Sequence, residues 1–145
     1  MLKEVKTKRQ HYFIDENNYK QGEYKSYHKN GQMCEHSFYQ NGKHHGEYKE
    51  YFKNGNLWLH AFCQNGQLHG EYKRYCDNGQ LYVHSFYLNN KRHGEYKSYG
   101  VNGKLDYATF YYQDIDLEVN PDTLTKKDKT YILLSGRLPP RDQPC

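Results

Sequence analysis

Long apolar runs are missing from this chain. No stretch approaches the roughly 18 apolar residues that a membrane-crossing helix needs, and no leader-like apolar segment follows Met1. An intracellular, cytoplasmic protein is therefore expected. Isoleucine and valine are scarce, and apolar residues make up 35% of the chain, against about 45–50% in ordinary globular domains. A thick aliphatic core is excluded. The four cysteines (Cys34, Cys63, Cys76 and Cys145) form no CxxC pair and share no spacing, which speaks against a zinc ribbon and suits reduced thiols. Charge of one sign is lacking too. The formal net charge is +4, and it is spread along the chain, so no dense Lys/Arg cluster in the repeats awaits a phosphate backbone and nucleic acid is not an expected partner. The Lys-rich start (Lys3, Lys6, Lys8, Arg9) lacks apolar alternation and reads as a frayed, solvated arm.

What the chain has instead is tyrosine, 17 of them, with six phenylalanines and one tryptophan. A tyrosine has a large apolar body and a polar tip, so it can cover a sheet without full burial. The tyrosines recur in Gly-Glu-Tyr-Lys-x-Tyr, which begins at Gly22, Gly46, Gly70 and Gly94, each 24 residues after the last. A fixed period of this length marks an array of identical supersecondary units.

Punctuation within the units is Asn-Gly, at 30–31, 41–42, 54–55, 65–66, 78–79 and 102–103, with Asn17-Asn18, Asn89-Asn90 and Gln113-Asp114 in equivalent slots. A two-residue hairpin turn of type I′ needs positive φ at both central residues, which Asn and Gly supply most cheaply. Nine such turns imply about ten strands in an antiparallel meander, an all-β, single-layer sheet built of 24-residue hairpins. The expected organisation is a charged arm over 1–11 and an array over 12–119, with full repeats at 22–45, 46–69, 70–93 and 94–117. A C-terminal cap follows over 120–145. Thr125-Lys126-Lys127-Asp128 resembles a capping box before a short helix over 129–135, and Gly136 and Pro139-Pro140 end it. That helix serves as the cap that the end of an array requires, or as a docking element.

Side chains alternate faces along a strand. In one strand class this puts Cys34/Trp58/Tyr82/Asp106, His36/His60/His84/Ala108 and Phe38/Phe62/Phe86/Phe110 on one face. In the other class the columns are Tyr24/Tyr48/Tyr72/Tyr96 and Tyr27/Tyr51/Tyr75/Tyr99, three residues apart and so on opposite faces unless a bulge intervenes. The motif glycine is the place for such a bulge or for a close backbone approach.

The segments Asn-Gly-Lys-His-His-Gly-Glu-Tyr (41–48) and Asn-Gly-Gln-Leu-His-Gly-Glu-Tyr (65–72) resemble the MORN repeat, in the variant with Asn-Gly turns, over about residues 12–117. The array, with its tail Thr-Lys-Lys-Asp-Lys-Thr-Tyr-Ile-Leu-Leu, is similar to those of giant amoeba-infecting DNA viruses. The resemblance implies an elongated, curved single-layer sheet that serves protein contact, self-association or docking on phospholipid membranes. A viral origin would place the protein in the host cytoplasm.

No catalytic, cofactor-binding or metal-ligating set is expected. Members of one histidine column lie about 9.6 Å apart across two strands, too far to share a zinc ion at about 2.0–2.3 Å, so an imidazole edge packed on tyrosines is the expected role. The Glu and Lys of each motif read as a solvated face, with a partner-recognising ladder as the alternative. No paired carboxylate, Ser/His/Asp set or phosphate loop breaks the symmetry. The candidate interaction surface is Trp58, Tyr82, Phe38, Phe62, Phe86, His36, His60 and His84, with specificity in the columns that diverge. The function these features suggest is a non-catalytic scaffold for an unidentified protein partner or for a homo-oligomer. The alternatives are a peripheral module on acidic phospholipid membranes and an antitoxin-like inhibitor of a partner enzyme.

Overall fold

The structure, a computed structural model, describes residues 1–140; residues 141–145, with Cys145 and the end of the expected cap, lie outside the described residues. The strands are β1 (Lys3–Lys6), β2 (Gln10–Ile14), β3 (Gly22–Tyr27), β4 (Met33–Gln40), β5 (Lys43–Tyr51) and β6 (Leu57–Gln64), then β7 (Gln67–Tyr75), β8 (Leu81–Leu88), β9 (Lys91–Arg92), β10 (Gly94–Tyr99), β11 (Leu105–Tyr112) and β12 (Ile115–Asp116). They form one open antiparallel sheet in chain order, with β9 and β10 both pairing with β8. Among the described residues there is one α-helix, α1 (Lys126–Ser135), preceded by a 3₁₀ turn at Pro121–Thr123.

Twelve strands among the described residues replace the expected ten for two reasons. The start of the chain, expected to fray, folds back as β1 and pairs with β2, Lys3 opposite Ile14 and Lys6 opposite His11. Its turn is closed by the Thr7 amide donating to the Gln10 carbonyl at 2.8 Å. The second reason is a break at His93, which splits one strand into β9 and β10 where the corresponding β5 and β7 run on.

The turns are of two kinds, where the sequence suggested one. At 41–42, 65–66, 89–90 and 113–114 both residues have positive φ, as a two-residue I′ turn demands. At Gly31, Gly55, Gly79 and Gly103 only the glycine does. There His28 N–H meets the Gln32 carbonyl at 2.7 Å and Gly31 N–H the His28 carbonyl at 3.0 Å. This is a three-residue loop ending in a glycine bulge, and the Asn30 side chain accepts from the Gln32 amide at 2.9 Å. The extra loop residue, together with strands one residue longer (nine residues in β5 and β7 against eight in β4 and β6), produces the alternating 13- and 11-residue spacing of the turns.

The motif glycine is a bulge. Between β4 and β5 the register jumps from Ser37↔Tyr48 to Tyr39↔His44, and Gly46 sits in the gap at φ +104°. A second bulge lies on the partner strand: Ser26 faces Glu35 but Tyr27 faces Met33, leaving Cys34 unpaired. The same shift recurs at Trp58 and Tyr82. Glu118, where a fifth motif glycine would stand, adopts φ +52°, and the Leu117 amide donates to the Phe110 carbonyl at 2.9 Å, as His93 does to Phe86. The bulge geometry therefore outlives its glycine.

The helix starts at Lys126, three residues before the expected start, and its capping box is complete. Thr125 Oγ1 accepts from the Asp128 amide at 3.0 Å and Asp128 Oδ2 from the Thr125 amide at 2.9 Å. Gly136 ends it in the left-handed conformation at φ +72°. A Cβ there would also stand 2.7 Å from the Tyr112 ring. The helix lies over the end of one sheet face, where Phe110 and Ile132 are both fully buried.

Gly70, at φ +104° with only the Phe62 Cβ near its own missing Cβ, isolates the conformational term from any clash. Gly70→Ala is expected to cost about 1–2 kcal/mol of unfolding free energy, and Glu118→Gly to raise the melting temperature; urea and thermal unfolding measure both.

Candidate functional site: two aromatic faces

Register sorts the side chains into two faces of different character. On the first, a row alternates tyrosine with a small residue: Tyr24 opposite Ser37, Ser37 opposite Tyr48, Tyr48 opposite Ala61, Ala61 opposite Tyr72 and Tyr72 opposite Ser85. Ser37, Ala61, Ser85 and Thr109 are fully buried although, among the described residues, no second layer covers them. The flanking tyrosines lean over them and meet the next column along the strand, with Tyr24–Tyr39, Tyr72–Tyr87 and Tyr96–Tyr111 ring centroids 5.0–5.6 Å apart. This face is the core of the protein.

The opposite face carries charge and phenylalanine. Lys25, His36, Lys49, His60, Lys73 and His84 form one row. Beside it Glu23, Glu47 and Glu71 stand opposite Phe38, Phe62 and Phe86. Each glutamate holds the histidine of the next strand at 2.8–3.2 Å and the lysine two residues on at 3.1–3.6 Å. The histidine rings pack on Phe38, Phe62 and Phe86 at 5.3–5.4 Å. The expected tyrosine neighbours lie on the other face, so the imidazoles are partnered by Phe and Glu instead. Among the described residues no group of three or more His, Cys, Asp or Glu is placed to hold a metal ion.

The final unit retunes this ladder. Ala108 stands where the histidine would be, Lys97 turns to Asp122 at 2.8 Å, and Glu95 pairs with Lys129 of α1. Between helix and sheet a groove of about 440 Å³ opens, lined by Phe86, Phe110, Glu95, Lys129 and Leu133 among others.

The candidate interaction residues divide between the faces. Phe38, Phe62, Phe86, His36, His60 and His84 share the charged face, but Trp58 and Tyr82 do not join them. Each is the unpaired residue of a bulge, which resets the alternation and turns it to the tyrosine face. There the Arg74 guanidinium lies 5.8 Å from the Trp58 ring and 5.9 Å from the Tyr82 ring. Strict alternation could not show this, because the extra residue lies on the strand without the glycine.

Two further features escaped the sequence. Glu35 and Glu50 are directly opposed on β4 and β5, so a paired carboxylate does break the symmetry of the array. Their sister residues are Leu59, Val83 and Tyr107 for the one and Ser26, Arg74 and Ser98 for the other. Both accept from the Tyr48 hydroxyl, and Glu35 also accepts from Ser37 Oγ at 2.7 Å. Burial, then the Glu50 hydrogen bond, holds the Tyr48 phenol well above its ordinary value. Burial, with Glu35 nearby, pushes Tyr39 up to about 12. The second feature is basic. Lys8 and Arg9 of the β1–β2 turn stand beside Lys29 and Lys53 of two repeat loops around His28. None of these four cations pairs with an acid among the described residues, and Arg9 is anchored by Nε donating to the Tyr27 carbonyl at 3.2 Å. The Lys-rich start, expected to be a frayed arm, thus supplies half of a basic cluster, since folding gathers its charges with those of separate repeat loops. Cys34, Cys63 and Cys76 are free and half-buried, and among the described residues no helix is long and apolar enough to cross a membrane.

The charge ladder has a pH signature. His36 first and Lys25 after it hold the Glu23 carboxyl below its ordinary value; Lys49 leads for Glu47 and His84 for Glu71. A carboxyl depressed by folding contributes stability above its unfolded pKa and loses it as pH falls through the folded one. Thermal stability is therefore expected to fall as pH drops below about 4.5, with a shallower slope in the Glu23→Gln/Glu47→Gln/Glu71→Gln chain. An unchanged slope in that chain would assign the acid sensitivity to other groups.

Similarity to known proteins agrees with this architecture. No curated protein matches the chain. The family model described as the MORN repeat variant matches residues 20–43, 45–62 and 68–89, so three segments of this chain are similar to that repeat.

Proposed function

We propose that the protein is a non-catalytic repeat scaffold that binds other proteins through the faces of its sheet. The observation that carries this reading is the single layer: over β3–β8 both faces present half-buried aromatics that, among the described residues, no second layer covers, and α1 closes only the end of one. Tyr82 is 46% exposed beside the half-buried Trp58 and Arg74, and Trp, Tyr and Arg are the residues that dominate protein interfaces. The resemblance to arrays of giant amoeba-infecting DNA viruses supports action in a host cytoplasm.

A second reading, docking on acidic phospholipid membranes, is favoured by the basic cluster of Lys8, Arg9, Lys29 and Lys53. The ladder of paired charges along the Lys/His/Glu face weighs against it.

Trp58→Ala and Tyr82→Ala, with the fold verified by circular dichroism, are expected to weaken capture of proteins from cells that make this chain about tenfold or more. Undiminished capture would remove these residues from the contact surface. In sedimentation with phosphatidylcholine vesicles, with and without phosphatidylserine and phosphoinositide, the chain is expected to stay in the supernatant. Salt-sensitive pelleting that Lys8→Glu/Arg9→Glu abolishes would favour the membrane reading instead.

A further inference from the structure

One row of the tyrosine face reads Glu35, Glu50, Leu59, Arg74, Val83 across five consecutive strands, each residue directly opposite the next. Two carboxylates stand on one side of Leu59 and a guanidinium on the other. Each is uncompensated: Glu35 and Glu50 have no cation, and Arg74 no anion, among the described residues. Within one chain Glu50 and Arg74 are two strands apart, about 9.6 Å at the usual spacing, and form no ion pair. Like charges directly opposite on neighbouring strands repel. Arg74 Nε is in addition buried without a hydrogen-bond partner, a defect that costs stability.

We propose that this face packs against the same face of a second copy of the chain, about a two-fold axis that runs along β6 between the two sheets. The proposal rests on the protein-contact reading above and names the occupant of one face. Rotation about such an axis reverses the order of the strands while keeping each row in register. It lays β5 over β7 of the partner and Leu59 over its own counterpart. Glu50 then faces the partner's Arg74, and Arg74 faces the partner's Glu50. The interface is isologous, with every contact made twice. Sheets packed face to face lie about 10 Å apart, a gap that an arginine and a glutamate bridge together. The guanidinium fork can take both carboxylates, because Glu35 is one strand from Glu50.

The tyrosine row has the same symmetry. About Ala61, Tyr48 exchanges with Tyr72 and Ser37 with Ser85, so aromatic meets aromatic as charge meets opposite charge. A face that is its own complement selects a second copy over an unrelated protein. Trp58 and Tyr82 share that face with Arg74, so in the dimer their contact is with the second copy, and the charged face, with its groove beside α1, stays open for a foreign partner.

Sedimentation equilibrium of the full chain tests this. Wild type is expected to weigh twice its 17.5 kDa. Glu50→Arg and Arg74→Glu, each folded by circular dichroism, are expected to weaken the dimer at least about 100-fold, because each reverses two symmetric pairs. Mixing the two monomeric variants is expected to restore a dimer, since both cross-pairs are then opposite in sign. The milder Glu50→Gln and Arg74→Gln, expected to weaken it about tenfold or more, serve if a reversal fails to fold. A monomeric wild type at hundreds of micromolar, a dimer indifferent to all these variants, or a mixture that stays monomeric would overturn the proposal. If wild type is monomeric while Trp58→Ala still loses captured proteins, the scaffold reading stands and the self-pairing falls.

Discussion

A sheet with no second layer must bury apolar surface within its own plane, and the rest of this structure depends on how it does so. Tyrosine and a small residue alternate across the strands, so each aromatic ring tilts over its neighbour and shields a Ser, Ala or Thr that, among the described residues, no second layer covers. Two tyrosines flanking one alanine fit the spacing of about 4.8 Å between strands; two flanking a leucine would not lie down. Burial of this kind is local and additive from unit to unit, as expected of an array in which each repeat contacts only its neighbours.

The bulges follow from the same constraint. Strands that carry large rings on one face and charge on the other must keep their twist compatible over twelve strands, and each repeat absorbs the mismatch at two places. One is the motif glycine, in a conformation that other residues adopt at a cost. The other is the unpaired residue two positions before His36, His60 and His84. That second bulge has the larger consequence for recognition, because it moves Trp58 and Tyr82 from the charged face to the tyrosine face and sets them around Arg74. The variable x of Gly-Glu-Tyr-Lys-x-Tyr becomes the chemical signature of each unit: Ser26, Glu50, Arg74 and Ser98.

At the C-terminal end the periodic pattern is edited. The histidine becomes Ala108, and Lys97 and Glu95 exchange their in-sheet partners for Asp122 and Lys129. The 3₁₀ turn and the helix thus dock by pairing charges that, in the other units, the glutamate, lysine and histidine of one repeat satisfy among themselves, while Ile132 is buried as Phe110 is.

The 24-residue period, the Asn-Gly turns and the tyrosine columns were enough to specify an antiparallel meander and a capped terminal helix, because backbone conformation at Gly and Asn and side-chain alternation are local properties. The β1 hairpin was hidden by its charged composition, since edge strands need little apolar surface and Val5 alone marks its half-buried side. Which face Trp58 occupies, that Glu35 meets Glu50, and that Lys8 and Arg9 join Lys29 and Lys53 were settled only by tertiary register. One extra residue on one strand shifts every pairing beyond it, and no local preference of those residues records where that shift falls.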